Sequence, residues 1–135
     1  MIVADASLLA YLHIQGDRTA DAEAALRRDP VWAAPRLWRS EMRNVLILYV
    51  RKGVLAVDEA RLLMDAALDL MRGNEYEVAS DPIFACLERA NVSAYDAEYV
   101  ALATELDIHV VTADRRLQRA FPERVVSLRE FASGV

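Results

Sequence analysis

Two short apolar runs that each end on an aspartate limit what this chain can fold into. Ile2-Val3-Ala4 stops at Asp5, and His109-Val110-Val111-Thr112-Ala113 stops at Asp114. Short apolar, β-branched runs of this kind read as buried strands. Helical patterns fill the chain between them, and strands alternating with helices imply a parallel sheet with helices on both faces. Ligands of such sheets bind beyond the C-terminal strand ends. Two strands that each deliver an aspartate there, joined by Asp96 in the first turn of a helix, predict a carboxylate pocket at one sheet edge. Several negative charges cannot share a pocket unaided: some must take up protons, or a cation must bind. The expectation is a divalent-metal site.

Taken in order, Ile2–Ala4 reads as a strand, followed by helices over 7–14 and 20–28, with Asp29-Pro30 as a breaker. Val31–Ala34 is a second strand, closed by Pro35. Helical spacing covers 36–51, with Leu37, Glu41, Val45 and Leu48 on one stripe, and again 57–72. Tyr76–Ala79 is a third strand. Asp81 as N-cap and Pro82 at the first helical position open a helix to about Ala90. Ser93 with Asp96 resembles a capping box for a helix over 93–105. His109–Thr112 is a strand, Asp114 opens a short helix through Ala120, and Val125–Ser127 is the last strand. No repeat, linker or low-complexity segment is visible, and residues 1–135 read as one domain.

Composition narrows the function. No apolar run approaches the roughly 20 residues of a membrane span, and no basic stretch precedes an apolar one at the N-terminus. Cys86 alone can form neither an internal disulfide nor a cysteine-rich zinc site. A cytoplasmic protein is expected. The net charge of −5 argues against a general nucleic-acid coat, yet all of the 16 basic residues except Lys52 are Arg. The planar guanidinium fork suits phosphate; a GC-rich coding sequence explains the bias equally well. The few, scattered glycines exclude a P-loop or a dinucleotide site.

Four acids stand out, each with a structural role of its own. Asp5 suits a helix N-cap. Glu41 lies mid-helix on the inward face, where a carboxylate needs a partner such as Arg39 or Arg43. Asp96 complements a helix dipole, yet shares its stripe with Val100 and Ala103 and so faces inward. Asp114 suits a cap for 115–120, and Thr112 is placed to orient it. Glu23, Glu59, Asp65 and Glu98 read as solvated. His13 and His109 share no ligand spacing. Tyr95 and Tyr99 read as packing residues with a minor possibility of base stacking.

With these acids placed, the chain resembles the PIN domain, and most closely the VapC-type toxins of bacterial toxin–antitoxin pairs. The matching segments are Ile2–Leu9, Pro35 through Glu41–Leu46, Tyr95–Ala103 and Val110–Leu117. The resemblance implies a three-layer α/β/α fold around a mostly parallel sheet of about five strands. It also implies a Mg²⁺- or Mn²⁺-dependent endoribonuclease, acting on RNA and held inactive by a cognate antitoxin, with a homodimer as the expected assembly. The family's acidic quartet falls on Asp5, Glu41, Asp96 and Asp114, as metal ligands and catalytic groups. Its small hydroxyl and polar positions fall on Ser7, Thr112 and Asn44. Leu117 stands where some relatives carry a further acid, which leaves one or two ions open. Arg36, Arg39, Arg43, Arg115 and Arg116 lie near the acids in this reading and are the candidates for holding the RNA backbone. The alternatives are a housekeeping PIN nuclease, a non-catalytic PIN-like module and a phosphoacceptor domain; the last wants a well-placed lysine that Lys52 does not supply.

Overall fold

The computed structural model describes residues 1–134. Strands β1 (Ile2–Ala4), β2 (Trp32–Pro35), β3 (Glu75–Tyr76), β4 (Val110–Thr112) and β5 (Val125–Ser127) form one sheet in the order β3-β2-β1-β4-β5. Every neighbouring pair is parallel. The central strand β1 sets Val3 opposite Ala33 on one side and Val110 on the other. Parallel neighbours require long crossovers, which here carry α1 (Ala6–His13), α2 (Thr19–Arg28), α3 (Trp38–Arg51), α4 (Val57–Met71), α5 (Ser80–Arg89) and α6 (Ala94–Leu106). Helix α7 (Arg115–Ala120) leads into β5, and α8 (Leu128–Ala132) follows it.

The helices cover both faces, giving the predicted three-layer α/β/α arrangement. Helix α6 lies on β1, β2 and β4 with α5 packed against it. Helix α1 lies against β1 and β4, and α2, α3 and α4 group around it; α8 sits over β4 and β5 beside α2. Both faces of β1 and β4 are therefore sealed, and all six of their residues are buried, which is why both runs are apolar throughout. Helix α6 is buried on most of its circumference, through Ala97, Tyr99, Val100, Ala101, Leu102 and Ala103. Its alanines let it approach the sheet closely. Thr19, a buried polar side chain outside the strands, accepts from the Gly16 amide at 2.9 Å and donates to the Tyr11 carbonyl at 2.8 Å, so its burial costs little.

Some local expectations change. Strand β3 is Glu75–Tyr76 rather than 76–79, because pairing with Ala34 and Pro35 fixes it earlier. Ala79, not Asp81, holds the N-cap position of α5, which moves Asp81 into the first turn. The inward stripe of α3 is Trp38, Met42 and Leu46, while Leu48 is exposed. Trp38 and Met42, both fully buried, set its rotation. The last helix, α8, was not anticipated.

Candidate active site

The four acids arrive from four different elements at the C-terminal edge of the sheet. Asp5 follows β1 and caps α1: one carboxylate oxygen accepts from the Leu8 amide at 2.8 Å and the other from the Thr112 hydroxyl at 2.5 Å. Asp114 follows β4 and caps α7, its Oδ1 accepting from the amides of Arg116 at 2.9 Å and Leu117 at 3.3 Å. Glu41 stands in the first turn of α3 and Asp96 in the first turn of α6. The capping roles of Asp5 and Asp114 that the sequence suggested are thus real, and they fix both carboxylates in place.

Thr112 ties two of these acids together. It is fully buried at the end of β4, donates its hydroxyl proton to Asp5 and accepts from the Asp114 amide at 3.0 Å. Gln118 in turn donates to the Thr112 carbonyl at 3.0 Å. The hydroxyl therefore orients Asp5 directly and the Asp114 backbone alongside it. Ser7 and Asn44 are both exposed, and neither makes a hydrogen bond among the described residues. Ser7 faces a separate cleft of about 260 Å³ with Tyr11, Val45 and Tyr49, away from the acids.

Electrostatics link the four. Asp5 is pushed up from 3.8 to about 6, first by burial and then by the charges of Glu41 and Asp114, against the hydrogen bonds from Thr112 and Leu8. Burial also raises Glu41, with Asp96 adding to it and a hydrogen bond from Tyr99 opposing. Burial raises Asp96 as well; Asp114 adds to this, while Ser93 and Arg116 oppose. Three of the acids are thus raised by another of the four: Asp5 by Glu41 and Asp114, Glu41 by Asp96, and Asp96 by Asp114. Carboxylates raised by burial and by neighbouring negative charge are relieved by a proton or a cation.

Two residues near Glu41 were missed from the sequence. Tyr99, not Arg39 or Arg43, is its partner: the phenol donates to Glu41 Oε1 at 2.5 Å, and burial together with that acceptor holds the phenol proton on. The spacing of Asp96 and Tyr99, one turn apart on α6, was the signal that would have found it. Glu98 is half-buried rather than solvated, and its carboxyl is raised by burial and by Glu41.

The arginines divide. Arg39 is committed elsewhere, gripping Glu75 through two bonds of 2.6 Å while Trp38 Nε1 donates to the same carboxylate at 2.9 Å. Arg36 reaches only 4.0 Å from the exposed Glu77. Arg43 is exposed on the groove between α3 and α4. Arg115 lines a polar cleft of about 540 Å³ with Arg18 and Gln118. Arg116 lines a cleft of about 470 Å³ with Ser93, Asp96, Asp114 and Leu117 and offsets the charge on Asp96. It is the candidate best placed to meet a phosphate beside the acids.

No three His, Cys, Asp or Glu side chains among the described residues form a ready-made metal cage. The donor set nonetheless suits a hard cation: all oxygen and all carboxylate, with Oε2 of Glu41 and Oδ2 of Asp114 free of hydrogen bonds. Among the described residues no helix is long and apolar enough to cross a membrane.

A short parallel sheet that gathers four carboxylates from four elements beyond its strand ends defines an α/β protein with an acidic site at the sheet edge. Residues 2–121 match the PIN domain, and the chain belongs to that family. It is 31% identical to ribonuclease VapC3 of Pyrobaculum aerophilum over 127 residues, covering 92% of this chain and 97% of that protein. It is 35% identical to ribonuclease VapC1 of Mycobacterium tuberculosis over 96 residues, 70% of this chain and 71% of that protein. The fold is similar to the crystal structure of PAE2754 from Pyrobaculum aerophilum, with a TM-score of 0.76 at 21% identity, covering 98% of this chain and 87% of that one. FitAB bound to a DNA fragment gives a TM-score of 0.71 at 17% identity, covering 96% of each chain.

Proposed function

We propose that this chain is a Mg²⁺- or Mn²⁺-dependent endoribonuclease and the toxin of a toxin–antitoxin pair. The observation that carries the reading is that Asp5, Glu41, Asp96 and Asp114 come from four elements to the C-terminal side of the sheet, where Asp5, Glu41 and Asp96 are each raised by burial and by the charge of at least one other of the four. Membership of the PIN family and likeness to ribonucleases of the VapC type support it. Asp5, Asp96 and Asp114 are the proposed ligands of the ion, and Glu41 is a further ligand or orients the attacking water. When bound, the ion supplies a water acidified toward neutral pH and positive charge opposite the phosphate oxygens.

The chain's own residues do the rest. Thr112 and the Leu8 amide keep Asp5 in one orientation, so that its charge stays at the head of β1. The amides of Arg116 and Leu117 do the same for Asp114. Arg116 pairs with an RNA phosphate at the mouth of the cleft, and Arg36, Arg43 and Arg115 hold the strand further out. No histidine base is needed. A digest of RNA by the purified protein, with Mn²⁺ and with chelator, tests the reading. Cleavage is expected only with metal and not from Asp5→Asn or Asp96→Asn. Metal-dependent cleavage that survives both substitutions removes the assignment.

The antitoxin is proposed to dock in the groove between α3 and α4. Leu46, Ile47, Val50, Val57 and Met64 make it apolar, and Arg43, Arg51 and Arg61 flank it. An amphipathic segment with acidic edges fits that chemistry. Self-association as a homodimer is proposed alongside, to be read by sedimentation.

A further inference from the structure

The protein holds two half-buried carboxylates near its sheet edge in contrasting ways. Glu75 is gripped by Arg39 through both oxygens and also accepts from Trp38. Its charge is matched and its lone pairs are largely used. Glu41 has a single, neutral donor, the Tyr99 hydroxyl, which takes Oε1 and leaves Oε2 without a hydrogen-bond partner among the described residues. A neutral donor fixes a carboxylate without cancelling its charge, whereas a guanidinium does both. The ring of Tyr99 is sealed in the core at 3% exposure. Core packing there would be served by phenylalanine, so the hydroxyl has work other than filling space. It lies one turn beyond Asp96 on the same face of α6, and its bond joins α6 to α3.

We propose that Tyr99 is a positioning residue: its hydroxyl holds Glu41 toward the other acids with one oxygen and its negative charge free for a divalent cation. This rests on the metal-dependent reading above. Glu41 is otherwise a flexible side chain near the start of α3, able to swing toward water; the tether holds its carboxylate where it feels the charge of Asp96. Outer partners of this kind change metal affinity by about 10- to 100-fold when removed.

The test compares wild type, Tyr99→Phe, Glu41→Gln and the double variant, with Mn²⁺ affinity read by titration calorimetry in the absence of RNA and folding read by thermal melts. Tyr99→Phe is expected to melt cooperatively and to bind Mn²⁺ about 10-fold more weakly or worse. In the Glu41→Gln background the same change is expected to have less than a twofold further effect, because the hydroxyl acts through that carboxylate. In RNA cleavage, Tyr99→Phe is expected to lower kcat at saturating RNA with KM for RNA unchanged. Mn²⁺ affinity within twofold of wild type in Tyr99→Phe overturns the inference and leaves the metal reading standing. An equal loss in both backgrounds also overturns it, since the hydroxyl would then act on the fold. Wild-type protein that binds no Mn²⁺ removes the metal reading, and this inference with it.

Discussion

Replacing Asp5 with asparagine should make the metal-free protein more stable, and increasingly so as pH rises. Asp5 titrates at about 6 in the folded chain against 3.8 for an ordinary aspartate. The folded state therefore binds the proton more tightly than the unfolded chain, and the wild-type protein loses stability as pH climbs between those values. Asparagine does not titrate. Relative to wild type, its stability should rise across the pH 4 to 6 window by the gap of roughly two units at ~1.4 kcal/mol each, or about 3 kcal/mol. Below pH 4 both side chains are neutral and the difference is a constant offset. That offset is small, because the asparagine carbonyl still accepts from the Leu8 amide while its NH₂ group can donate to Thr112 Oγ1. For a chain of this size the change corresponds to a gain on the order of 10 °C in relative melting temperature. Circular-dichroism melts in chelator from pH 4 to 8 read it directly. Adding Mn²⁺ should raise the melting temperature of wild type and leave the variant unmoved, since only an ion bound to the folded state stabilises it. A stability difference that is flat across this range, or that shrinks with rising pH, would refute the picture of a strained carboxylate awaiting a cation.

Other perturbations follow from single contacts. Thr112→Val keeps the volume but strips Asp5 of a donor and the partly buried Asp114 amide of its acceptor; a loss of about 1–3 kcal/mol in urea unfolding is expected, together with weaker Mn²⁺ binding. Arg39→Ala should lower the urea midpoint at neutral pH far more than near pH 3. The Arg39 pairing holds Glu75 below the usual glutamate value, and that contribution vanishes as pH falls through the folded value and Glu75 is protonated. Arg116→Ala should flatten the salt dependence of RNA binding by a slope of about 0.7, as for one lost contact to a single strand; Arg39→Ala should leave that slope unchanged. Ile47→Asp or Val57→Asp should weaken antitoxin binding without affecting RNA cleavage, measured on the purified pair and on the toxin alone.

What could be read from the chain was what local pattern carries. The runs before Asp5 and Asp114 are apolar because β1 and β4 are covered on both faces, so their sequence shows both the strand and its end. Glu41 and Asp96 stood out because each shares a helical stripe with apolar residues. Partners across the fold were not visible. Arg39 reaches Glu75 from 36 positions away, and nothing near either residue signals it. The contact of Tyr99 with Glu41 spans 58 positions, although its place above Asp96 on α6 was in plain view. Glu98 read as solvated because its own helix turns it from the core, yet a neighbouring element brings Glu41 beside it. Leu48 read as inward because the stripe was drawn through Glu41, while Trp38 and Met42 decide how α3 sits. Helix α8 is only Leu128–Ala132, too short for periodicity to show.

The strand order carries a consequence for how such a protein is made. Strand β1 precedes the other four strands in the chain but lies at the middle of the sheet, between β2 and β4. Asp114 takes its place only once β4 has slotted in beside a strand laid down more than a hundred residues earlier. Until β4 is made and docked, the set of Asp5, Glu41 and Asp96 lacks its fourth carboxylate, so the complete acidic site is a product of a long-range strand pairing rather than of any local segment.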